Sequence, residues 1–143
     1  MPTFSATVRT DARPAAVWPL VADLTRHGEW AADPLTVTKT ADGYESVATS
    51  KGKEFRATLT VLESVEPRRF AFRATDATGT YEHVFTLEPD GAGTRITRQV
   101  TGAGLTFGQT AFFYAVLPIV RKPNARKALD RLAALARGSR APS

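Results

Sequence analysis

Residues 105–137 read LTFGQTAFFYAVLPIVRKPNARKALDRLAALAR, and this stretch decides the fold. Phe112, Val116, Ile119, Val120, Leu129, Leu132 and Leu135 recur mostly every three or four residues, while Arg121, Lys122, Arg126, Lys127, Asp130 and Arg131 fill most of the gaps. The spacing predicts a long helix with one buried face. Pro118 and Pro123 each remove an amide donor and crowd the preceding turn, at roughly 3 kcal/mol in a helix interior. A kink or short break is therefore expected near 118–123, with Pro123 opening a second segment. Gly138 is the natural stop, which leaves residues 139–143 as a frayed tail and 1–138 as a single domain.

Working outward, the chain before this helix is nearly all strand. Tyr81 to Leu87 and Thr94 to Thr101 flank the turn Pro89-Asp90-Gly91-Ala92-Gly93. Before them come Phe70 to Ala74, Glu54 to Glu63, Tyr44 to Ser50 and Leu35 to Thr40, with Asp42-Gly43 as a hairpin signal. Phe4 to Arg9 alternates with period two and forms a further strand. Between it and the others, Val17, Trp18, Leu20, Val21 and Leu24 follow Pro14 at helical spacing, with Asp11 as the expected cap. Thr25 to Trp30 reads as a turn and a second short helix, closed by Asp33-Pro34. The glycines at 91 and 93 are expected to supply positive backbone angles rather than a phosphate cradle, because they lead into a strand. The fold class is α+β: a curved antiparallel sheet of about seven strands wrapped around a long C-terminal helix, with two short helices after strand one.

At 143 residues the chain suits one core. No run approaches the roughly 20 apolar residues of a membrane span, and the start Met1-Pro2-Thr3-Phe4 lacks signal-peptide character. A soluble, cytoplasmic protein without stable membrane insertion is expected. Zero cysteines exclude disulfides and thiol chemistry, and two widely spaced histidines argue against zinc; no metal and no cofactor are expected. The net charge of +5 gathers on or near the closing helix. No motif or aromatic interleaving accompanies it, so nucleic acid is not expected, and a solvated face competes with an anionic partner.

Several phrases resemble the START-like (SRPBCC) superfamily with its helix-grip fold, in particular the polyketide cyclase/dehydrase and lipid transport branch. They are Pro14-Ala15-Ala16-Val17-Trp18 with Val21, Asp23 and Leu24; Gly28-Glu29-Trp30; Val65 to Phe72; Leu87 to Thr97; and Ala128 to Leu132. The resemblance spans nearly the whole chain. It implies a cavity between sheet and C-terminal helix that holds a small hydrophobic molecule such as a lipid, polyketide or isoprenoid. It also leaves open a metal-independent polyketide cyclase/aromatase or dehydratase, and beyond that an interaction module using the basic helix face.

Sheet parity selects the lining. Phe55, Ala57, Leu59 and Val61; Phe70, Phe72 and Ala74; Tyr81, His83, Phe85 and Leu87; and Ile96, Arg98 and Val100 share one face if apolar positions point inward. His83 and Arg98 are out of place there, since a buried polar group without partners costs roughly 1–3 kcal/mol. Two readings stand. Either His83 is a hydrogen-bonded core histidine and Arg98 snorkels to the sheet edge, or both line a pocket, Arg98 binding a carboxylate or enolate oxygen and His83 donating to a carbonyl. These two are the catalytic candidates if the chain is an enzyme. The candidate ligand-binding set adds Tyr44, Phe55, Leu59, Phe72, Tyr81, Phe85, Phe113, Tyr114 and Leu117. Trp18 and Trp30 are expected to anchor the short helices, and His27 to be a partly exposed turn residue. Arg56, Arg73, Glu82 and Arg95 have outward parity and read as surface charges. The aromatic run Phe107 to Leu117 reads as helix–sheet packing, with a gate or homodimer face as the alternative.

Overall fold

The computed structural model describes residues 3–32, 34–50, 52–76, 79–103 and 117–139. Strand β1 (Thr3–Thr10) leads to helix α1 (Pro14–Ala22) and a 3-10 helix (Leu24–Glu29). Six strands follow: β2 (Leu35–Thr40), β3 (Gly43–Ser50), β4 (Lys53–Val65), β5 (Arg69–Asp76), β6 (Gly79–Asp90) and β7 (Gly93–Ala103). Helix α2 (Leu117–Ser139) closes the chain. The sheet is antiparallel throughout, in the order β1-β7-β6-β5-β4-β3-β2. The strands β2 to β7 are the expected meander. Strand β1 joins at the far side, so that Thr3 pairs with Thr101 and Thr10 with Thr94.

The period-two pattern sorts the strands into two faces. One face carries Phe70, Phe72, Phe85, Leu87 and Ile96, all buried, with α1 and the second half of α2 against part of it. The other carries Arg56, Arg73, Glu82 and Arg95, paired across strands with carboxylates or guanidinium groups, as their outward parity requires. Such exposed pairs contribute little individually. At Val61/Glu63 the β4–β5 register slips by one residue, a bulge that leaves Leu62 41% exposed.

Several local expectations are corrected. The expected second short helix is of the 3-10 kind: Asp23 caps it by accepting from the Thr25 amide at 3.0 Å, and it is over after six residues. Asp11 does not cap α1. Arg13 holds that position without a side-chain bond, Pro14 starts the helix, and Asp11 accepts instead from Arg9 at 2.7 Å. Helix α2 runs unbroken through 118–123 and past Gly138. Pro118 and Pro123 both lie within the described turns of this helix. The part of the predicted helix before Leu117, including Phe112 and Val116, lies outside the described residues, as does the tail 140–143.

Three polar bonds, the first two of them buried, fasten α2 and β1 to the core. The Thr10 hydroxyl donates to the Ala133 carbonyl at 2.9 Å, the Thr94 hydroxyl donates to the Ala12 carbonyl at 2.7 Å, and the Arg131 guanidinium donates to the Ala31 carbonyl at 2.6 Å. The Ala12 and Ala31 carbonyls lie outside regular helix and strand, where such bonds supply the partner a ladder would otherwise give. Leu129 and Leu132 are fully buried, and Ala128, Ala133 and Ala136 complete the inner face.

Of the two turn glycines, only Gly91 has a positive φ, at 60°. Gly93 serves close approach, because a Cβ there would lie 2.1 Å from the Thr10 carbonyl oxygen and 3.1 Å from the Asp11 Cα. Gly93→Ala is therefore expected to push the β1–α1 connection off β7 and to cost roughly 2–3 kcal/mol, in the range of overpacked sites. A urea titration checks this by its midpoint at unchanged slope. A midpoint equal to that of the parent protein would show that the connection yields freely.

Candidate functional site

The concave face changes character along β6 and β7. Leu87, Phe85 and Ile96 are fully buried, whereas His83 and Arg98 are only partly so. Register explains how they meet. Phe72 lies opposite His83 and Phe85 opposite Arg98, so the side chains alternate ring, imidazole, ring and guanidinium across three strands.

The contacts are specific. Phe72 stacks on the His83 ring with centroids 4.7 Å apart and planes 3° from parallel. The Arg98 guanidinium carbon lies 5.2 Å from the centroid of Phe85, in cation–π range. Arg98 Nη2 and His83 Nδ1 are 3.0 Å apart. A guanidinium has donors only, so His83 Nδ1 accepts and the neutral ring carries its proton on Nε2. This orients the pair as a set of donors: a guanidinium beside an imidazole N–H.

His27 stands behind this pair, and its place differs from the expected exposed turn. It is buried at 6% exposure, with its ring 4.6 Å from Trp30, 5.7 Å from Phe72 and 5.8 Å from Phe85. Its Nε2 donates to the Val21 carbonyl at 2.8 Å, which ties the 3-10 helix to α1. Trp30 does the same through Nε1 to the Leu20 carbonyl at 3.0 Å. Burial is the largest influence on His27 and pushes its pKa down to about 4; the positive charge of Arg98 adds to this and the bond to Val21 opposes it. His27 is thus a neutral core group at physiological pH.

A cavity of about 590 Å³, open to solvent, lies between the end of α1, the start of the 3-10 helix and strands β2–β3; Trp18, Ala22, Asp23, Arg26, Lys39 and Tyr44 are among its lining. Arg26 is held there by bonds of 2.8 and 3.1 Å to Glu29, which keep that carboxyl below its usual range.

The predicted residues thus divide. Leu59, Phe72, Tyr81 and Phe85 are buried on the concave side, with His83 and Arg98 at its polar margin. Tyr44 pairs with Leu59 across β3–β4, so it shares that face, and it also lines the open cavity. Phe55 does not follow its inward parity into the core: it is 42% exposed, and Val61 on the same strand is 40% exposed. Among the described residues, helix α2 packs chiefly on β1 and α1. Phe113 and Tyr114 lie outside the described residues, and Leu117 is the first described residue of α2. Sequence reasoning misses Lys39, although it continues the inward parity of Leu35 and Val37; its charge conceals the signal. Trp18, expected only as an anchor, forms cavity wall as well. Among the described residues no group of three or more His, Asp or Glu side chains is placed to hold a metal ion, and no helix is long and apolar enough to cross a membrane.

The family described as polyketide cyclase/dehydrase and lipid transport matches residues 1–137. No curated protein matches the chain. Solved structures share the fold at low identity. A Thermus thermophilus protein is 23% identical with a TM-score of 0.74, over 98% of this chain and 100% of that one. A Mycobacterium smegmatis protein is 20% identical with a TM-score of 0.75, over 94% and 90%. A Chromobacterium violaceum protein is 18% identical with a TM-score of 0.76, over 94% and 96%. At these identities the likeness concerns fold alone.

Proposed function

The chain belongs to the polyketide cyclase/dehydrase and lipid transport family, a family of ligand-binding SRPBCC domains, and from that premise we propose that it binds a small hydrophobic molecule ending in a hydrogen-bond acceptor. A lipid, polyketide or isoprenoid bearing a carbonyl or carboxylate has this chemistry. The observation that carries the reading is the Arg98–His83 pair, set among Phe72 and Phe85 on the concave face. Both groups offer donors, so the complementary ligand end accepts. An amine end would repel the guanidinium. Phenylalanine rings beside the pair suit an apolar body, in the usual pattern of an apolar pocket with a few polar groups that fix orientation.

Native mass spectrometry followed by organic extraction tests for a resident ligand. Titration with a fluorescent fatty acid then tests the polar end. Arg98→Met keeps most of the stem and removes the charge, and it is expected to weaken binding by about 10- to 100-fold, the worth of one hydrogen bond to a charged group. Equal affinity in parent and variant, with both folded by circular dichroism, would remove Arg98 from the site.

A further inference from the structure

Charge is segregated in this molecule. On the strands, Arg9, Arg56, Arg69, Arg73 and Arg95 each meet a carboxylate at between 2.7 and 3.8 Å. Helix α2 is different. Residues 117–139 hold six basic side chains against the single carboxylate of Asp130, a surplus of five that equals the net charge of the whole chain. Arg126, Lys127, Arg131 and Arg137 are exposed, on the side of α2 away from Leu129, Leu132 and Ala136. They extend along about 16 Å of helix. Arg131 is bonded to Ala31, and Arg126 lies 3.4 Å from Asp130.

We propose that the outward face of α2 docks the protein on an anionic lipid bilayer by charge, with its apolar side remaining in the core. Charge complementarity argues for an anionic partner. The choice of a bilayer over nucleic acid follows from what the face lacks and from the cargo. The sequence from Arg126 to Arg137 contains no aromatic residue that could interleave with the basic side chains and stack on bases. An apolar ligand partitions into bilayers, so a surface that brings the cavity to the bilayer shortens transfer; this clause rests on the proposed ligand class. Adsorption of this kind needs no insertion, and each basic group near an anionic surface contributes roughly a fivefold gain in partition.

The test is co-sedimentation with vesicles of phosphatidylcholine alone and of phosphatidylcholine with about one-third phosphatidylglycerol, at salt of about 0.05 and about 0.5 M. The expected result is binding to the anionic vesicles only, lost at the higher salt. The triple variant R126E/K127E/R137E, which spares Arg131, is expected to bind at least about 100-fold more weakly while keeping the parent's circular dichroism and fatty-acid affinity. Equal binding to both vesicle types, or equal binding by the variant, overturns the proposal. So does displacement of the protein from vesicles by a short DNA duplex, which would assign the face to nucleic acid. Vesicle binding in a protein that takes no fatty acid would sustain this surface and sink the ligand proposal; fatty-acid binding without vesicle binding would do the reverse.

Discussion

Replacing Phe85 by alanine is expected to remove about 3–5 kcal/mol of stability, the usual cost of emptying a buried phenylalanine site. Phe85 is fully buried and meets Trp30 edge-on at 5.8 Å, His27 at 5.8 Å, Phe72 at 6.4 Å and the Arg98 guanidinium at 5.2 Å. These partners come from neighbouring strands and from the 3-10 helix and its cap. None can collapse into the space without abandoning a ladder bond or the anchoring bonds to Leu20 and Val21. Domains of this size hold only about 5–15 kcal/mol in total, so the variant is expected to lose a large share of its folding free energy and to melt well below the parent. Phe85→Leu supplies the control, since it retains most of the volume while removing the ring under Arg98. Its stability is expected to lie near the parent's, within about 1.5 kcal/mol. An alanine variant that melts with the parent would show that the aromatic cluster is not the core's centre.

The second large effect is set by pH. The folded value of His27, about 4, lies below the ordinary 6.5, so the unfolded chain binds a proton that the folded chain refuses. Above pH 6.5 both states are neutral and the contribution is fully present. As pH falls from 6.5 to 4, stability declines by about 1.4 kcal/mol per pH unit, about 3 kcal/mol in all, and the slope flattens once folded His27 also protonates. Urea titrations at pH 7 and near pH 4.5 read this directly. His27→Gln retains an amide donor for the Val21 carbonyl and cannot titrate, so it is expected to lose much less across the same window. Equal losses in both proteins would place the acid sensitivity elsewhere.

The strands and their order are legible because alternation in Phe72-Arg73-Ala74 and Tyr81-Glu82-His83 reports a sheet with one wet face, a local property. The pairing of β1 with β7 is not, since nothing in Phe4 to Arg9 names a partner about 90 residues away. Parity also brings Arg98 and His83 to one face, and the structure places them in hydrogen-bond contact. It fails for Phe55, because alternation tells which way a side chain points and not whether another element covers it. His27 misleads for the opposite reason: a histidine next to Gly28 looks like turn chemistry, and only the folded 3-10 helix shows its ring turned into a cluster of aromatic residues. The continuity of α2 through Pro123 is likewise hidden, because the proline penalty is a local average that packing on β1 and α1 can outweigh.

The edge pairing has a consequence for the order of assembly. Strands β2 to β7 are joined by tight turns, so each finds its neighbour by closing a short loop. Strand β1 must close one of up to 98 residues, Thr3 to Thr101, and the entropy of that closure is repaid only once distant contacts form. Its polar anchor, the Thr10 bond to Ala133, lies farther along still. The earliest strand to be synthesised is therefore the last to be seated, and until β7 and α2 arrive its backbone is an unpaired edge that invites association with other chains. A polypeptide halted before residue 94 lacks every strand partner of β1 and keeps that edge open.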